Sequence, residues 1–132
     1  MPRRTPIETA SMVMAATLVG IGVLSWAAWA LQLRVLLEPF GPLPPTKVNE
    51  AVCWVLIGLA LLGVHLRLPK SALIAIPAAA IGGLTLAEHV FHLNLHIDQL
   101  LSRDFLMVDP DQAGRMSTMS AGCILLSSAT ML

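Results

Sequence analysis

Four long apolar stretches follow one another along the chain, separated by short polar segments. They cover about residues 9–33, 49–66, 71–96 and 116–132. A helix needs about 20 apolar residues to cross a hydrocarbon layer of about 30 Å, so we predict four membrane-spanning helices in a single domain. No basic residue follows the fourth stretch within the sequence. We therefore expect the chain to be the N-terminal part of a longer protein.

An internal repeat predicts how these helices are arranged. The segment 49–56 matches the segment 119–126 at an offset of 70, and each contains an Ala-x-Cys sequence, at Ala51–Cys53 and Ala121–Cys123. Each half would then consist of an outgoing helix, an outer loop and a returning helix. The predicted fold is all-α, an integral membrane four-helix bundle built from two helix-loop-helix halves with pseudo-twofold symmetry.

Composition supports the membrane assignment and excludes other classes. The chain is 56% hydrophobic and 12% charged, with a mean hydropathy of +0.77 and a net charge of +0, whereas a soluble domain carries about 25% charged residues. A balanced charge argues against a nucleic-acid surface. No nucleophile–base pair, phosphate loop or pair of carboxylates occurs at a workable spacing, so this segment is not expected to be an enzyme.

Basic residues predict the orientation in the membrane. Arg3 and Arg4 precede the first stretch, and Arg67 and Lys70 lie between the second and third. Because cytoplasmic loops are enriched in Lys and Arg, we place these segments in the cytoplasm. Four spans then leave both termini on that side.

Three histidines near the end of the third stretch are the main candidates for chemistry. His89, His92 and His96 have the spacing i, i+3, i+7, which in a continuous helix places the three rings within about 60° of one another. Ionisable side chains inside a span are functional candidates because their burial in lipid is unfavourable.

A b-type haem is the favoured cofactor, with His89 and His92 as the axial candidates. His65 lies at the other end of the second predicted span, about 27 Å from His89 across the membrane, so the two cannot bind one iron within a single bundle. A second subunit, a methionine (Met12, Met14 or Met119) or a second haem would have to complete the ligation.

A transition metal such as zinc or copper is the alternative ligand. His89, His92 and His96 would bind it together with Glu88, Asp98 or Met107, and His65 is a further, separate candidate. In a third interpretation the histidines bind nothing and lie in water at the interface. A variant of that interpretation is a protonation switch, because histidine titrates near neutral pH.

Three segments resemble a known family. Residues 44–54 (Pro-Pro-Thr-Lys-Val-Asn-Glu-Ala-Val-Cys-Trp), 97–101 (Ile-Asp-Gln-Leu-Leu) and 114–117 (Gly-Arg-Met-Ser) resemble the membrane-integral input region that precedes PAS, GGDEF, EAL or histidine kinase modules in bacterial signalling proteins. Ala113 and Met119 depart from that pattern, which more often has proline and asparagine there.

The resemblance implies a sensory domain in the bacterial inner membrane. Such a domain would act as a homodimer and relay the state of its cofactor to a cytoplasmic effector in the same polypeptide. Two other classes stay open: a small membrane b-type cytochrome that carries electrons, and a passive anchor or dimerisation module.

Overall fold

Helices are the only regular secondary structure in the part of the chain that its computed structural model describes, residues 5–37, 45–99, 101, 106 and 113–132. The helices are α1 (Pro6–Ala30), α2 (Arg34–Leu37), α3 (Val48–His65), α4 (Ala75–Phe91) and α5 (Thr118–Ala129), and a 3₁₀ turn, Ser71–Ile74, leads into α4. No strand occurs in these residues. The sequence therefore predicted the all-α class correctly. Arg3 and Arg4, residues 38–44 between the first two predicted spans, and Met107 lie outside the described residues.

Capping residues explain where two of the helices begin. Thr5 accepts a hydrogen bond from the Glu8 amide, the Glu8 carboxylate accepts one from the Thr5 amide, and Pro6 occupies the first helical position. Ser117 caps α5 by accepting from the Ser120 amide. Both arrangements satisfy amide groups that have no partner within the helix.

Three helices are long and apolar enough to cross a membrane: Pro6–Ala30, Val48–His65 and the continuous segment Ser71–Phe91. The third ends five residues before the predicted 96. The fourth predicted span contains only the 12-residue helix α5, which at 1.5 Å per residue extends about 18 Å. The described part of α5 is therefore too short to cross a bilayer by itself.

The helices pack as two antiparallel hairpins. The first consists of α1 and α3, and the second of α4 and α5, while α3 also contacts both helices of the second hairpin. Within the described residues the backbone of α1 does not come close to that of α4 or α5. The four main helices therefore do not close into a tight ring, and an open groove lies between α1, α3 and α5.

Glycines permit the close approach within each hairpin. A Cβ atom on Gly22 would lie 2.7 Å from the Ala51 carbonyl oxygen, and one on Gly58 would lie 2.7 Å from the Ala15 carbonyl oxygen. Gly82 faces the Ala121 carbonyl in the second hairpin at 3.0 Å. Small residues at such crossings allow helix backbones to pack closely, as they do in membrane proteins.

The two hairpins make corresponding contacts. Gly22 faces Ala51 in the first hairpin, and Gly82 faces Ala121 in the second. The two alanines are related by the offset of the sequence repeat, whereas the two glycines are related by an offset of 60. The backbone at the ends of α1 and α4 also corresponds at an offset of 60. Gln32 and His92, which are 60 residues apart, both adopt a left-handed conformation, with φ of 54° and 52°.

Candidate functional site

The three candidate histidines do not share a helix face. Helix α4 ends at Phe91, and His92 follows it as the left-handed C-cap residue. His96, with φ of 59°, lies in the irregular segment beyond. The prediction of one continuous helix face is therefore wrong for His92 and His96, because both follow the end of the helix. Both are exposed, whereas His89 is half-buried.

His89 instead holds a loop in place. Its Nε2 lies 3.1 Å from the Met116 carbonyl oxygen, and since a carbonyl only accepts, Nε2 is the protonated nitrogen. Trp29, at the corresponding position of α1, donates in the same way from Nε1 to the Thr46 carbonyl at 2.7 Å. Thr46 and Met116 are themselves related by the offset of the sequence repeat. His89 thus occupies in the second hairpin the position that an indole occupies in the first.

We predict that His89→Phe lowers the free energy of unfolding by about 1 kcal/mol, because it removes one hydrogen bond. His89→Trp should retain most of the stability, since its indole N–H can replace the imidazole N–H as it does at Trp29. Both variants can be compared by detergent-dependent unfolding followed by circular dichroism. Equal losses in the two variants would contradict a role as donor.

His65 lies at the opposite end of the hairpins. Its Nε2 is 2.8 Å from the Ser11 hydroxyl oxygen, and this hydrogen bond joins the end of α3 to the beginning of α1. No group of three or more His, Cys, Asp or Glu side chains in the described segments is arranged to hold a metal ion.

A buried ion-pair cluster lies where α4 meets the segment that leads to α5. The Arg115 Nε donates to Asp98 Oδ2 at 2.9 Å, and its Nη2 is 3.6 Å from Glu88 Oε1. The side chains of Glu88, Asp98 and Arg115 are 0%, 8% and 11% exposed. Glu88 also accepts from the Leu95 amide at 2.6 Å. The cluster therefore fixes the chain that leaves α4 against the chain that enters α5.

The same cluster reaches the first hairpin. Asn49, in the first turn of α3, donates from Nδ2 to the Ile97 carbonyl at 3.1 Å. One carboxylate oxygen of Glu88 and one of Asp98 are buried and find no hydrogen-bond partner in the described part of the chain. Two carboxylates therefore share one guanidinium within a largely dehydrated region.

A second feature is an open groove between α1, α3 and α5. Its volume is about 350 Å³, and its walls include Leu18, Trp54, Ile57 and Ile124. Glu50 lies at its polar side, where Ser120 donates to Glu50 Oε1 at 2.7 Å. This hydrogen bond joins α3 to α5 and so connects the two hairpins.

Sequence reasoning concentrated on histidine and gave too little weight to Glu88 and Arg115. A signal for them was present, since Glu88 is a carboxylate within a predicted span, where a counter-ion is expected. Asp98 and Arg115 belong to the segments that carry the family resemblance. Their pairing depends on the folding of the loop between them, for which the sequence offers no periodic pattern.

No protein-family model, curated protein or solved structure matches this chain. The functional conclusions therefore depend on the geometry of the chain itself.

Proposed function

We propose that the chain is a sensory input module of the bacterial inner membrane. It crosses the bilayer four times with both termini in the cytoplasm, acts as a homodimer and relays its state to an effector in the same polypeptide. One observation carries the proposal. Asp98 and Arg115, which belong to the two segments 97–101 and 114–117 that carry the resemblance to such modules, pair in the buried cluster.

The contact between these two segments is close. A Cβ atom on Gly114 would lie 2.7 Å from the Asp98 carbonyl oxygen, and Gly114 has a φ of 78°. Glycine adopts this conformation without strain and leaves room for the neighbouring backbone. The sequence features of the resemblance therefore correspond to one structural requirement, the junction that holds α5 against α4.

The corresponding contacts support an architecture of two pseudo-twofold halves. Gly22 and Gly82 face equivalent partners, and Trp29 and His89 make equivalent hydrogen bonds. The outward-facing surface suits a bilayer, since only 11% of an 18-residue apolar stretch of α1 is buried inside the protein. Lipid would cover the remainder.

The relay operates at the contact between the hairpins. The Glu50–Ser120 hydrogen bond holds α5 against α3, and the open groove between α1, α3 and α5 leaves α5 room to move. A stimulus that interacts differently with two positions of α5 would shift the population between them. Helix α5 would then transmit that shift to the effector.

The histidines as placed do not fit an axial pair for haem b. The Nε2 of His89 is engaged with a carbonyl, and His92 is exposed beyond the helix end. They likewise do not form a cage for zinc or copper with His96. No step of the proposed relay therefore passes through a cofactor.

The proposal predicts that Ser120→Ala changes the output of a reporter. The chain would be joined in frame at Leu132 to a cytoplasmic diguanylate cyclase, and cyclic di-GMP would be measured in cells. Loss of one hydrogen bond of about 1 kcal/mol shifts a two-state equilibrium about fivefold, so we expect output to change about two- to fivefold. Activity of the reporter also requires the C-terminus to be cytoplasmic.

Ser11→Ala is the matched control. It also removes one serine hydroxyl that makes a side-chain hydrogen bond, to His65, but that bond lies within the first hairpin. Membrane levels of both variants would be measured by immunoblot. Equal output from wild type, Ser120→Ala and Ser11→Ala would refute a relay through the α3–α5 contact. An absorption spectrum and metal analysis of the purified protein would test the cofactor hypotheses separately.

A further inference from the structure

The groove between α1, α3 and α5 carries an inference that goes beyond the sensory role. We propose that it binds a lipophilic organic cation, a molecule with an apolar body and one positive charge. The apolar body would lie along Leu18, Ile57 and Ile124, and the charge would lie beside Glu50. The volume of about 350 Å³ falls within the range of small-molecule sites, roughly 300–1,000 Å³.

The sign of the charge follows from Glu50. Ser120 donates to Oε1 of Glu50, and the other carboxylate oxygen has no hydrogen-bond partner in the described segments. Lys47, the basic residue at the start of the same helix, has its ammonium group 6.0 Å from the centre of the Trp29 ring. The carboxylate therefore presents negative charge to the groove, and a cation would complement it.

Trp54 supports the same assignment. It lies one turn beyond Glu50 on α3, and both line the groove, because residues four apart share a helix face. An indole attracts a cation to its face, and tryptophan is the most effective ring for this purpose. A carboxylate and an indole on one wall of an apolar groove favour an organic cation over a fatty acid.

The depth of Glu50 also suits an amphipathic ligand. Glu50 is the third residue of α3, and Ile57 lies about two helical turns further along the same helix. The charge would therefore lie near the membrane interface while the apolar body extends toward the hydrocarbon region. The groove is open on its surface side, so a molecule dissolved in the bilayer has access to it.

Tetraphenylphosphonium and tetraphenylborate provide the test, because they have the same shape and opposite charge. Binding of each would be measured by equilibrium dialysis against the full chain in phosphatidylcholine nanodiscs, with empty nanodiscs as the blank. We expect saturable binding of the phosphonium alone. Glu50→Gln keeps the shape and an acceptor for Ser120, and should weaken binding by about tenfold or more because a charged partner is lost.

Glu8→Gln is the matched control, since it removes one carboxylate at the opposite end of the first hairpin and should leave binding unchanged.

Cys123 lines the groove and is exposed, whereas Cys53 is buried. Tetraphenylphosphonium should therefore slow the reaction of Cys123 with a maleimide. In a separate experiment, Cys123→Trp should fill the groove and so weaken tetraphenylphosphonium binding although Glu50 is intact. Circular dichroism would confirm that each variant is folded.

Equal binding of the borate, or unchanged phosphonium binding by Glu50→Gln, would overturn the proposal and leave the groove as a site for a neutral lipid tail. Failure of this test would not affect the reporter experiment with Ser120→Ala, which requires no ligand.

Discussion

Replacing Arg115 with methionine is expected to lower the free energy of unfolding by about 3–5 kcal/mol, because it leaves a buried charge without its counter-ion. Glu88 is fully buried, and Asp98 nearly so, so water cannot replace the guanidinium without opening the junction between α4 and α5. Unfolding would be measured by SDS titration from mild detergent, followed by circular dichroism. This is the largest loss of stability that we expect from a single substitution in the chain.

Two variants separate the loss of charge from a general effect of substitution. Arg34→Met removes an exposed arginine from α2 and should change the stability by less than about 0.5 kcal/mol. The double variant Arg115→Met with Glu88→Gln should be more stable than the sum of the single effects predicts, because one of the two uncompensated carboxylates, that of Glu88, is gone. A loss for Arg115→Met as small as that for Arg34→Met would contradict a structural role for the cluster.

Gly22→Val should lower the free energy of unfolding by about 1–3 kcal/mol, because the added carbon atoms meet a closely packed backbone. A Cβ atom there would lie 2.7 Å from the Ala51 carbonyl oxygen and from the Val55 side chain. The α1–α3 crossing would have to widen to accept valine. The same SDS titration measures this effect.

Gly20→Val is the matched control for that experiment. It makes the same chemical change two residues earlier in α1, where a Cβ atom would have no described atom within 4 Å. Its stability should stay near that of wild type, since both valines have the same intrinsic helix propensity. If Gly20→Val were as destabilising as Gly22→Val, helix propensity rather than close packing would explain both results.

The apolar stretches predicted the helices well and their ends less well. The first predicted span reached residue 33 and the third reached 96, whereas α1 ends at Ala30 and α4 at Phe91. A non-glycine residue in the left-handed conformation follows each helix end: Gln32 lies two residues after α1, and His92 directly follows α4. Glutamine and histidine give little local indication of a helix end, because the usual residue at such a left-handed position is glycine.

The sequence repeat indicated only one of the two sets of matching positions in the hairpins. The offset of 70 relates α3 to α5, and the Ala-x-Cys sequence made it visible. The offset of 60 relates α1 to α4 and became evident only from matching contacts, such as the ring hydrogen bonds of Trp29 and His89. At that offset an indole and an imidazole make the same kind of hydrogen bond, so a comparison of residue identities did not detect the match.

The sequence by itself determined the helical class and the apolar segments, because both follow from composition and from patterns within a single segment. It also supplied the reactive side chains. Only the tertiary structure decided which of them meet: it separated His92 and His96 from His89, paired Arg115 with Glu88 and Asp98, and placed Glu50 beside Ser120, which belongs to a different hairpin. The physical reason is that helix formation depends on neighbours within a few residues. The pairing of buried charges, by contrast, depends on how separate helices pack and where the loops between them return.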